Sequence, residues 1–220
     1  VLTEGKHLHT QHGSVPHEGF VGADDGSLVM VGEVPHLAIR PLLHDYVMSM
    51  PRGAAIIYPK DAAHIVGFAD IHPDLTVVEA GVGSGALSLF LLRALHGTGR
   101  LVSFERREEF RAVAESNVTG FFGGRPDNWQ TVLGDLAEEL PAHVADGEAD
   151  RVLLDMLAPW ECVEATARAL RPGGLVLCYV ATVTQLSRTV EAIRADWASR
   201  MSALPALIPP IGIFLVVVGS

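Results

Sequence analysis

The stretch from Val77 to Ala86, Val-Val-Glu-Ala-Gly-Val-Gly-Ser-Gly-Ala, constrains the fold of this chain more than any other feature. Residues 75–80 form an apolar run typical of a buried parallel strand, and residues 86–95 have the spacing of a helix that packs on the sheet. Three glycines separate the two elements: Gly81, Gly83 and Gly85. Glycines at such a turn let the backbone bend tightly and let a nucleotide-like ligand approach amide groups that a Cβ would shield. The stretch therefore predicts a cofactor-binding loop.

The glycine spacing alone leaves the identity of the cofactor open. The pattern Gly81-x-Gly83-x-x-Ala86 also fits the dinucleotide fingerprint with alanine at its third position. A second predicted strand, residues 101–105, ends at Glu105, about twenty residues past the loop, where a carboxylate can accept both hydroxyls of a ribose. Nicotinamide-dependent folds share this acid as well.

Further acids favour a cationic nucleoside over a pyrophosphate. Glu79 lies inside the first strand, and Asp135 and Asp155 end the third and fourth predicted strands. Because ligands of parallel sheets bind at the carboxyl ends of the strands, these acids are expected along one ligand-binding edge. A row of carboxylates suits adenosine, ribose and a cationic sulfonium, and it suits a pyrophosphate badly.

Short sequence words in a fixed order add a more specific signal. They are Ile57-Tyr-Pro-Lys-Asp61, Glu79-Ala-Gly-Val-Gly-Ser-Gly85, Asp127-Asn-Trp129, Leu154-Asp-Met-Leu-Ala-Pro-Trp160 and Tyr179-Val-Ala-Thr-Val-Thr-Gln185. Together they resemble the bacterial, actinobacterial-type tRNA (adenine-58-N1)-methyltransferases within the class I S-adenosylmethionine-dependent methyltransferases. The resemblance runs from about His9 to about Arg194. Beyond that point the family's Gly-His-Thr word has no counterpart in this chain.

The alternation of strands and helices and the resemblance imply the same architecture. We expect an α/β fold with a Rossmann-like class I methyltransferase sheet, helices on both faces, and a small N-terminal β module. Residues 1–50, with short β-like pieces broken by glycine and proline, form the module and linker in this interpretation. Residues 51–220 form the S-adenosylmethionine-dependent catalytic domain. Asp61 is predicted to cap the helix that follows it.

The resemblance also implies the catalytic residues. Asp155 would accept a hydrogen bond from the exocyclic N6 amine of the target adenine, which pushes electron density toward N1 and stabilises the cationic product. Tyr58 and Tyr179 would hold the flipped base by stacking or edge contacts. Each has a structural alternative: Asp155 as a helix cap, Tyr58 as packing between linker and domain, and Tyr179 as ordinary core.

For the cofactor S-adenosylmethionine, whose product is S-adenosylhomocysteine, the resemblance implies further contacts. Glu105 would bind the ribose hydroxyls, and Asp135 would accept the adenine amino group with Leu136 beside the ring. Glu79 would orient the loop amides or face the methionine ammonium. Backbone groups of the loop would line the methionine and sulfonium end: Gly81, Gly83, Ser84, Gly85, Ala86 and Leu87. No metal is required, and the histidines at positions 7, 9, 12 and 17 match no ligand spacing.

Composition restricts the partners and the compartment. A net charge of −10 argues mildly against nucleic acid, because neutralising phosphates takes a basic surface. The resemblance nevertheless implies a tRNA substrate and a homotetramer, in which several subunits could grip the RNA together. Cys162 and Cys178 have no disulfide or zinc spacing, which favours a reducing cytoplasm. The apolar residues 211–218 are too few to span a bilayer and predict a core strand, so we expect no membrane segment.

Three other functions stay open from the sequence. A nicotinamide-linked oxidoreductase is favoured only by the overlap of the two glycine fingerprints. A non-catalytic RNA-binding subunit would keep the fold and lose the chemistry, and the intact glycine loop, Glu105 and Asp155 speak against it. A methyltransferase for small molecules shares the chemistry and would have a solvent-open pocket too narrow for a tRNA loop.

Overall fold

The computed structural model describes residue 2, residues 4–203 and residues 215–218. Its internal contacts divide the chain into two compact units, Val1–Met50 and Pro51–Ser220. The described part of the first unit holds two antiparallel hairpins, a single 3-10 turn at His17–Gly19 and a short α-helix. Its elements are β1 (His7–Thr10), β2 (Gly13–Pro16), β3 (Ser27–Val31), β4 (Val34–Ala38) and α1 (Leu43–Ser49). The pairs are β1 with β2 and β3 with β4, which confirms the predicted small β module.

The second unit is built on a parallel sheet that has six strands in the described part of the chain. Its elements are α2 (Pro59–Phe68), β5 (Thr76–Ala80), α3 (Ala86–Leu95), β6 (Arg100–Glu105), α4 (Glu108–Phe122), β7 (Trp129–Leu133), α5 (Leu136–His143), β8 (Ala149–Asp155), α6 (Val163–Ala169), β9 (Leu170–Val180), α7 (Val183–Ala203) and β10 (Leu215–Val218). The strand order is β10-β9-β8-β5-β6-β7, and all neighbours are parallel. The order reverses between β5 and β8, which is where such sheets bind ligands.

Alternating side chains of β5 show that the sheet is covered on both faces. Val78 and Ala80 join a buried cluster with Leu136 and Leu140 of α5. Glu79, between them, bonds to Ser88 of α3, which therefore packs on the opposite face. The helices form two groups accordingly, since α2 and α4 contact α3, whereas α5 and α7 contact α6. The fold class predicted from the sequence is confirmed.

One boundary near the site differs from the prediction. The helix predicted to begin after Asp61 begins three residues earlier, at Pro59, with Tyr58 as its N-cap. Proline is favoured at the first helical position because its missing N–H needs no partner there. Asp61 is therefore in the first turn and is not the cap.

Helix α5 was absent from the prediction, which had a polar linker before the fourth strand. Asp135 is its N-cap, and the Asp135 carboxylate accepts a hydrogen bond from the Ala137 amide at 2.8 Å. Helix α4 continues to Phe122 and has Gly123 as its C-cap. The predicted last strand, 211–218, is described from Leu215 onward as β10, and residues 211–214 lie outside the described residues.

Candidate active site

Strand register brings the predicted acids to one edge of the sheet. Asp155 and Tyr179 are directly paired residues of β8 and β9. Glu105 ends β6, and the Gly81 amide donates a hydrogen bond to the Phe104 carbonyl of that strand at 3.1 Å. The glycine-rich loop thus starts between the strands that carry Glu105 and Asp155.

Two positions of the loop, Gly81 and Gly85, require glycine both for their backbone conformation and for lack of space. Gly81 and Gly85 have φ values of 87° and 80°, in the left-handed region that side chains disfavour. A Cβ on Gly81 would overlap the backbone carbonyl oxygen of Asp155. A Cβ on Gly85 would lie 3.2 Å from the Cα of Ala114 in α4. The loop is consequently packed against both β8 and α4.

A second segment of backbone is tied to this loop by Ser84 and Asn117. The Ser84 hydroxyl accepts hydrogen bonds from the Gly53 amide at 3.1 Å and the Ala54 amide at 3.3 Å. The Asn117 amide nitrogen donates to the carbonyls of Ser84 and Pro51, both at 2.9 Å. Asn117 could not be recognised from the sequence, because a polar residue inside an amphipathic helix carries no local signal of its partners.

The Glu105 carboxylate is held by backbone amides on both oxygens. Oε2 accepts from the Gly83 amide at 3.0 Å, and Oε1 accepts from the Arg107 amide at 3.1 Å. The Arg107 guanidinium lies 3.6 Å from Oε1 and also over the Phe110 ring, 3.6 Å from its centroid. Glu105 is therefore fixed toward the glycine loop, with lone pairs left for hydroxyl donors.

Two adjoining cavities open at this edge, with volumes of about 580 and 630 Å³, within the range of small-molecule sites. The lining residues common to both are Gly81, Glu105, Arg107, Asp155, Met156 and Leu157. The first cavity continues along Phe104 and Leu136. The second continues along the segment 53–57 and reaches Tyr179 and Gln185. We call them the Leu136 cavity and the Tyr179 cavity.

Several predicted residues do not line either cavity. Tyr58 is 49% exposed and lies outside both linings. Asp135 also lies outside them, and its free oxygen forms an ion pair with Arg106. The remaining loop residues are buried behind the lining and support it from within: Ser84, Gly85, Ala86 and Leu87.

Tyr179 is anchored by a residue that the sequence analysis took for a helix cap. Its hydroxyl donates a hydrogen bond to Asp61 Oδ2 at 3.3 Å. Burial, together with the Asp61 charge, raises the pKa of Tyr179 to about 12. The hydroxyl therefore stays protonated at neutral pH and remains committed to Asp61.

Crowded carboxylates give the site its electrostatic character. Burial raises the pKa of Asp155 to about 6, and the nearby Glu105 charge adds to this. Burial also raises the pKa of Glu79 to about 7, with Asp155 and Glu105 adding further. Glu79 Oε2 accepts hydrogen bonds from the Ser88 and Ser103 hydroxyls, both at 2.7 Å, while Oε1 is buried and has no hydrogen-bond partner among the described residues. A cation entering the cavities would relieve this repulsion.

The partners of Glu79 differ from one of the two predicted roles. Its hydrogen bonds within the described residues go to hydroxyls of α3 and β6, and none goes to an amide of the glycine loop. The role of orienting the loop amides belongs to Glu105, through Gly83. Glu79 remains an acid beneath the site that contributes negative charge.

The donor set fits S-adenosylmethionine. Glu105 offers acceptors for ribose hydroxyls, Leu136 offers an apolar surface for an adenine ring, and the acids surround a position suited to a sulfonium. The described residues contain no cluster of three or more His, Cys, Asp or Glu that could hold a metal ion. Searched over the same residues, no helix has both the length and the apolarity needed to cross a membrane.

Comparison with known sequences identifies the family. The model of the tRNA methyltransferase complex GCD14 subunit matches residues 36–207. The chain is 38% identical over 193 residues to the tRNA (adenine(58)-N(1))-methyltransferase TrmI of Thermus thermophilus, covering 87% of this chain and 74% of that protein. It is 29% identical over 180 residues to the tRNA (adenine(57)-N(1)/adenine(58)-N(1))-methyltransferase TrmI of Methanocaldococcus jannaschii, covering 72% and 63%.

Solved structures agree with this assignment. The tRNA (m1A58) methyltransferase TrmI from Aquifex aeolicus superposes with a TM-score of 0.73 at 25% identity, over 88% of this chain and 74% of that one. A SAM-dependent O-methyltransferase from Thermotoga maritima gives a TM-score of 0.76 at 28% identity, over 88% and 71%. These matches favour the methyltransferase interpretation of the glycine-rich loop over the dinucleotide one. The chain belongs to the tRNA methyltransferase complex GCD14 subunit family of S-adenosylmethionine-dependent methyltransferases.

Proposed function

We propose that this chain transfers a methyl group from S-adenosylmethionine to N1 of adenosine 58 in the T-loop of tRNA. The observation that carries the proposal is that Asp155 and Tyr179 are paired across neighbouring strands. Both line the Tyr179 cavity, together with residues of the glycine loop. The names of the TrmI relatives support the substrate assignment. Residues 51–220 form the catalytic domain in this proposal.

The task of the protein is mainly one of alignment. Bound S-adenosylmethionine supplies a methyl group already activated by a positive sulfur. Adenine N1 has its lone pair in the ring plane, so no base is needed to free it. Holding nucleophile and donor in line can account for several kcal/mol of barrier lowering.

Asp155 stabilises the charge that develops on the base. Its carboxylate accepts a hydrogen bond from the N6 amine, and the increased electron density at N1 favours attack. The Asp155 carboxylate has no hydrogen-bond partner within the described residues, so its oxygens are available to the base. Tyr179 presents its ring beside it, because the hydroxyl is committed to Asp61.

Cofactor binding uses the opposite end of the shared lining. Glu105 binds the ribose hydroxyls, and Leu136 packs beside the adenine ring in the Leu136 cavity. Asp135 would accept a hydrogen bond from the adenine amine in place of its present ion pair with Arg106. Tyr58 contacts the target base from the N-terminus of α2, which requires its exposed ring to turn toward the Tyr179 cavity.

The test is incubation with labelled S-adenosylmethionine and an unmodified tRNA transcript, followed by nuclease digestion and mass spectrometry of the nucleosides. We expect 1-methyladenosine from the wild-type transcript and none from a transcript in which adenosine 58 is replaced. Protein that binds S-adenosylhomocysteine but methylates no tRNA would contradict the substrate assignment. It would favour a small-molecule substrate, in line with the O-methyltransferase likeness.

A homotetramer in the cytoplasm is part of the same proposal. A chain with a net charge of −10 gains RNA contacts when several subunits combine their basic residues. The relatives of Cryptococcus neoformans are named catalytic subunits, which makes a mixed complex the competing assembly. Light scattering of the purified chain separates the two, since a tetramer of identical chains forms without any partner and a mixed complex does not.

A further inference from the structure

Gln185 forms an unusually connected group at the start of α7, beside the Tyr179 cavity that it lines. Its Oε1 accepts hydrogen bonds from the amides of Ala181 and Thr182 and from the Thr182 hydroxyl, each at 3.1 Å. The Thr182 hydroxyl accepts in turn a hydrogen bond from the backbone N–H of Gln185 at 3.2 Å. This is a capping box, Thr-x-x-Gln, in which the two side chains satisfy the free amides of a helix start.

The other end of the same side chain makes a bond that helix capping does not need. Gln185 Nε2 donates to the backbone carbonyl of Leu157 at 2.9 Å, 28 residues away in the chain. Leu157 follows Asp155 by two residues, and Ala181 follows Tyr179 by two. One amide group therefore joins the segments that leave β8 and β9 just after the two residues proposed to contact the base.

The segment after β8 has reason to need such a bond. The Leu157 side chain is 82% exposed, so burial contributes little to holding it, yet it lines both cavities. The Asp155 carboxylate has no hydrogen bond to fix it in the described part of the chain. Its position is set by its own backbone, which β8 holds on one side and the Leu157 segment on the other.

We propose that Gln185 is a positioning residue: through its bond to the Leu157 carbonyl it fixes the Asp155–Leu157 segment against the Tyr179 strand. This inference rests on the proposed function, in which Asp155 accepts a hydrogen bond from the target adenine. We call the hydrogen bond from Gln185 to Leu157 the bridge and the hydrogen bonds of the capping box the cap. The inference predicts that the bridge determines turnover and that the cap contributes to the stability of the fold.

Two substitutions separate the bridge from the cap. Gln185→Glu keeps an acceptor at the third helical position, where a negative charge is also favoured, but cannot donate to the Leu157 carbonyl. Gln185→Met has nearly the same length and loses both interactions without adding charge. We expect both to lower kcat for tRNA by about 10-fold or more, since small misplacements of reacting groups are costly. Only Gln185→Met should lower Tm.

Three controls make the experiment decisive. Ser187→Ala removes a side-chain hydrogen bond to Glu191 on the exposed side of the same helix and should leave kcat and Tm unchanged. In the Asp155→Ala background, Gln185→Glu should cause no further loss, because its effect passes through Asp155. Amide hydrogen exchange of peptides covering residues 156–158 should be faster in both Gln185 variants than in wild type.

The outcomes that overturn the inference differ from those that overturn the function. Wild-type kcat in Gln185→Glu, or unchanged exchange at residues 156–158, would show that the bridge positions nothing. A wild-type protein that forms no 1-methyladenosine would refute the substrate instead, and the exchange measurement would still decide the role of Gln185.

Discussion

The two ends of the site are built differently. On the cofactor side, Glu105 is bonded to two backbone amides and Gly81 packs directly on the Asp155 carbonyl. On the substrate side, the Asp155 carboxylate has no hydrogen bond within the described residues, and Leu157 is 82% exposed. The proposed cofactor side is therefore held by bonds within the chain, whereas the proposed substrate side leaves polar and apolar groups to be satisfied by a ligand.

The largest expected effect comes from a change that breaks both sides at once. Gly81→Ala places a methyl group in the Asp155 carbonyl and forces a left-handed conformation at φ 87° on a residue with a side chain. We expect loss of S-adenosylhomocysteine binding in calorimetry, loss of turnover, and destabilisation of more than about 2 kcal/mol. Gly67→Ala, in the helix α2 with open space around it, is the control and should bind the product normally. Normal binding by Gly81→Ala would refute the packing argument.

Asp155→Ala should break the substrate side alone. Removing one electrostatic stabiliser of the transition state costs about 10²-fold in kcat or more. S-adenosylhomocysteine affinity should stay nearly unchanged, because the side chain faces the base in this proposal. Single-turnover methylation of tRNA and calorimetry of the same protein measure the two quantities. A large loss of product affinity would mean that Asp155 holds the cofactor side together.

Glu105→Gln should break the cofactor side alone. The variant loses a charged acceptor for the ribose and weakens the bond to the Gly83 amide, so we expect the Kd for S-adenosylhomocysteine to rise about 10-fold. At saturating S-adenosylmethionine, kcat should fall much less than in Asp155→Ala. Glu108→Gln, which alters an exposed pair with Arg111, is the matched control. Unchanged affinity in Glu105→Gln would refute the ribose assignment.

The pH dependence of tRNA methylation tests the role of Asp155 through the charge of its carboxyl group. Its pKa is raised to about 6, so below that pH the neutral acid dominates, which is a weaker acceptor for the N6 amine and carries no negative charge to stabilise the cationic product. We expect kcat/KM for tRNA to fall about 10-fold per pH unit below about 6 and to level off above it. The residual activity of Asp155→Ala should lack this inflection. An inflection that survives in the variant would assign it to another group.

Tyr179→Phe is expected to have the smallest effect. The ring proposed to face the base remains, and only the hydrogen bond to Asp61 is lost. We expect kcat to fall by a few-fold and stability by about 1 kcal/mol, because the buried Asp61 loses a partner. Thermal melting and steady-state kinetics measure both. A loss of turnover as large as that of Asp155→Ala would mean that the hydroxyl, and not the ring, acts on the base.

Features that depend on neighbouring residues in the sequence could be predicted. The strand, the glycine turn and helix α3 are local features, and the structure places β5 and α3 within one residue of the predicted ranges. Glu105 follows from the same local pattern, since it ends the next strand. The fold class followed from the alternation of such units.

Long-range partners could not be predicted in this way. Asp61 bonds to Tyr179 across 118 residues, and nothing near Asp61 distinguishes that role from a helix cap. Gln185 reaches Leu157 only because β8 and β9 are neighbours in the sheet. Helix α5 was missed because Pro141 lies inside it and interrupts the helical pattern. The Thr-x-x-Gln box at residues 182–185 was a local signal that could have located Gln185.

The crowding of Glu79, Glu105 and Asp155 has a consequence for the end of the catalytic cycle. Glu105 and Asp155 line the cavities and Glu79 lies beneath them, and the negative charge of this group attracts a positively charged donor more strongly than its neutral thioether product. Once the methyl group has left, the electrostatic part of that attraction disappears, while the contacts to ribose and adenine remain. Charge is therefore one property by which this cavity would favour fresh over spent cofactor.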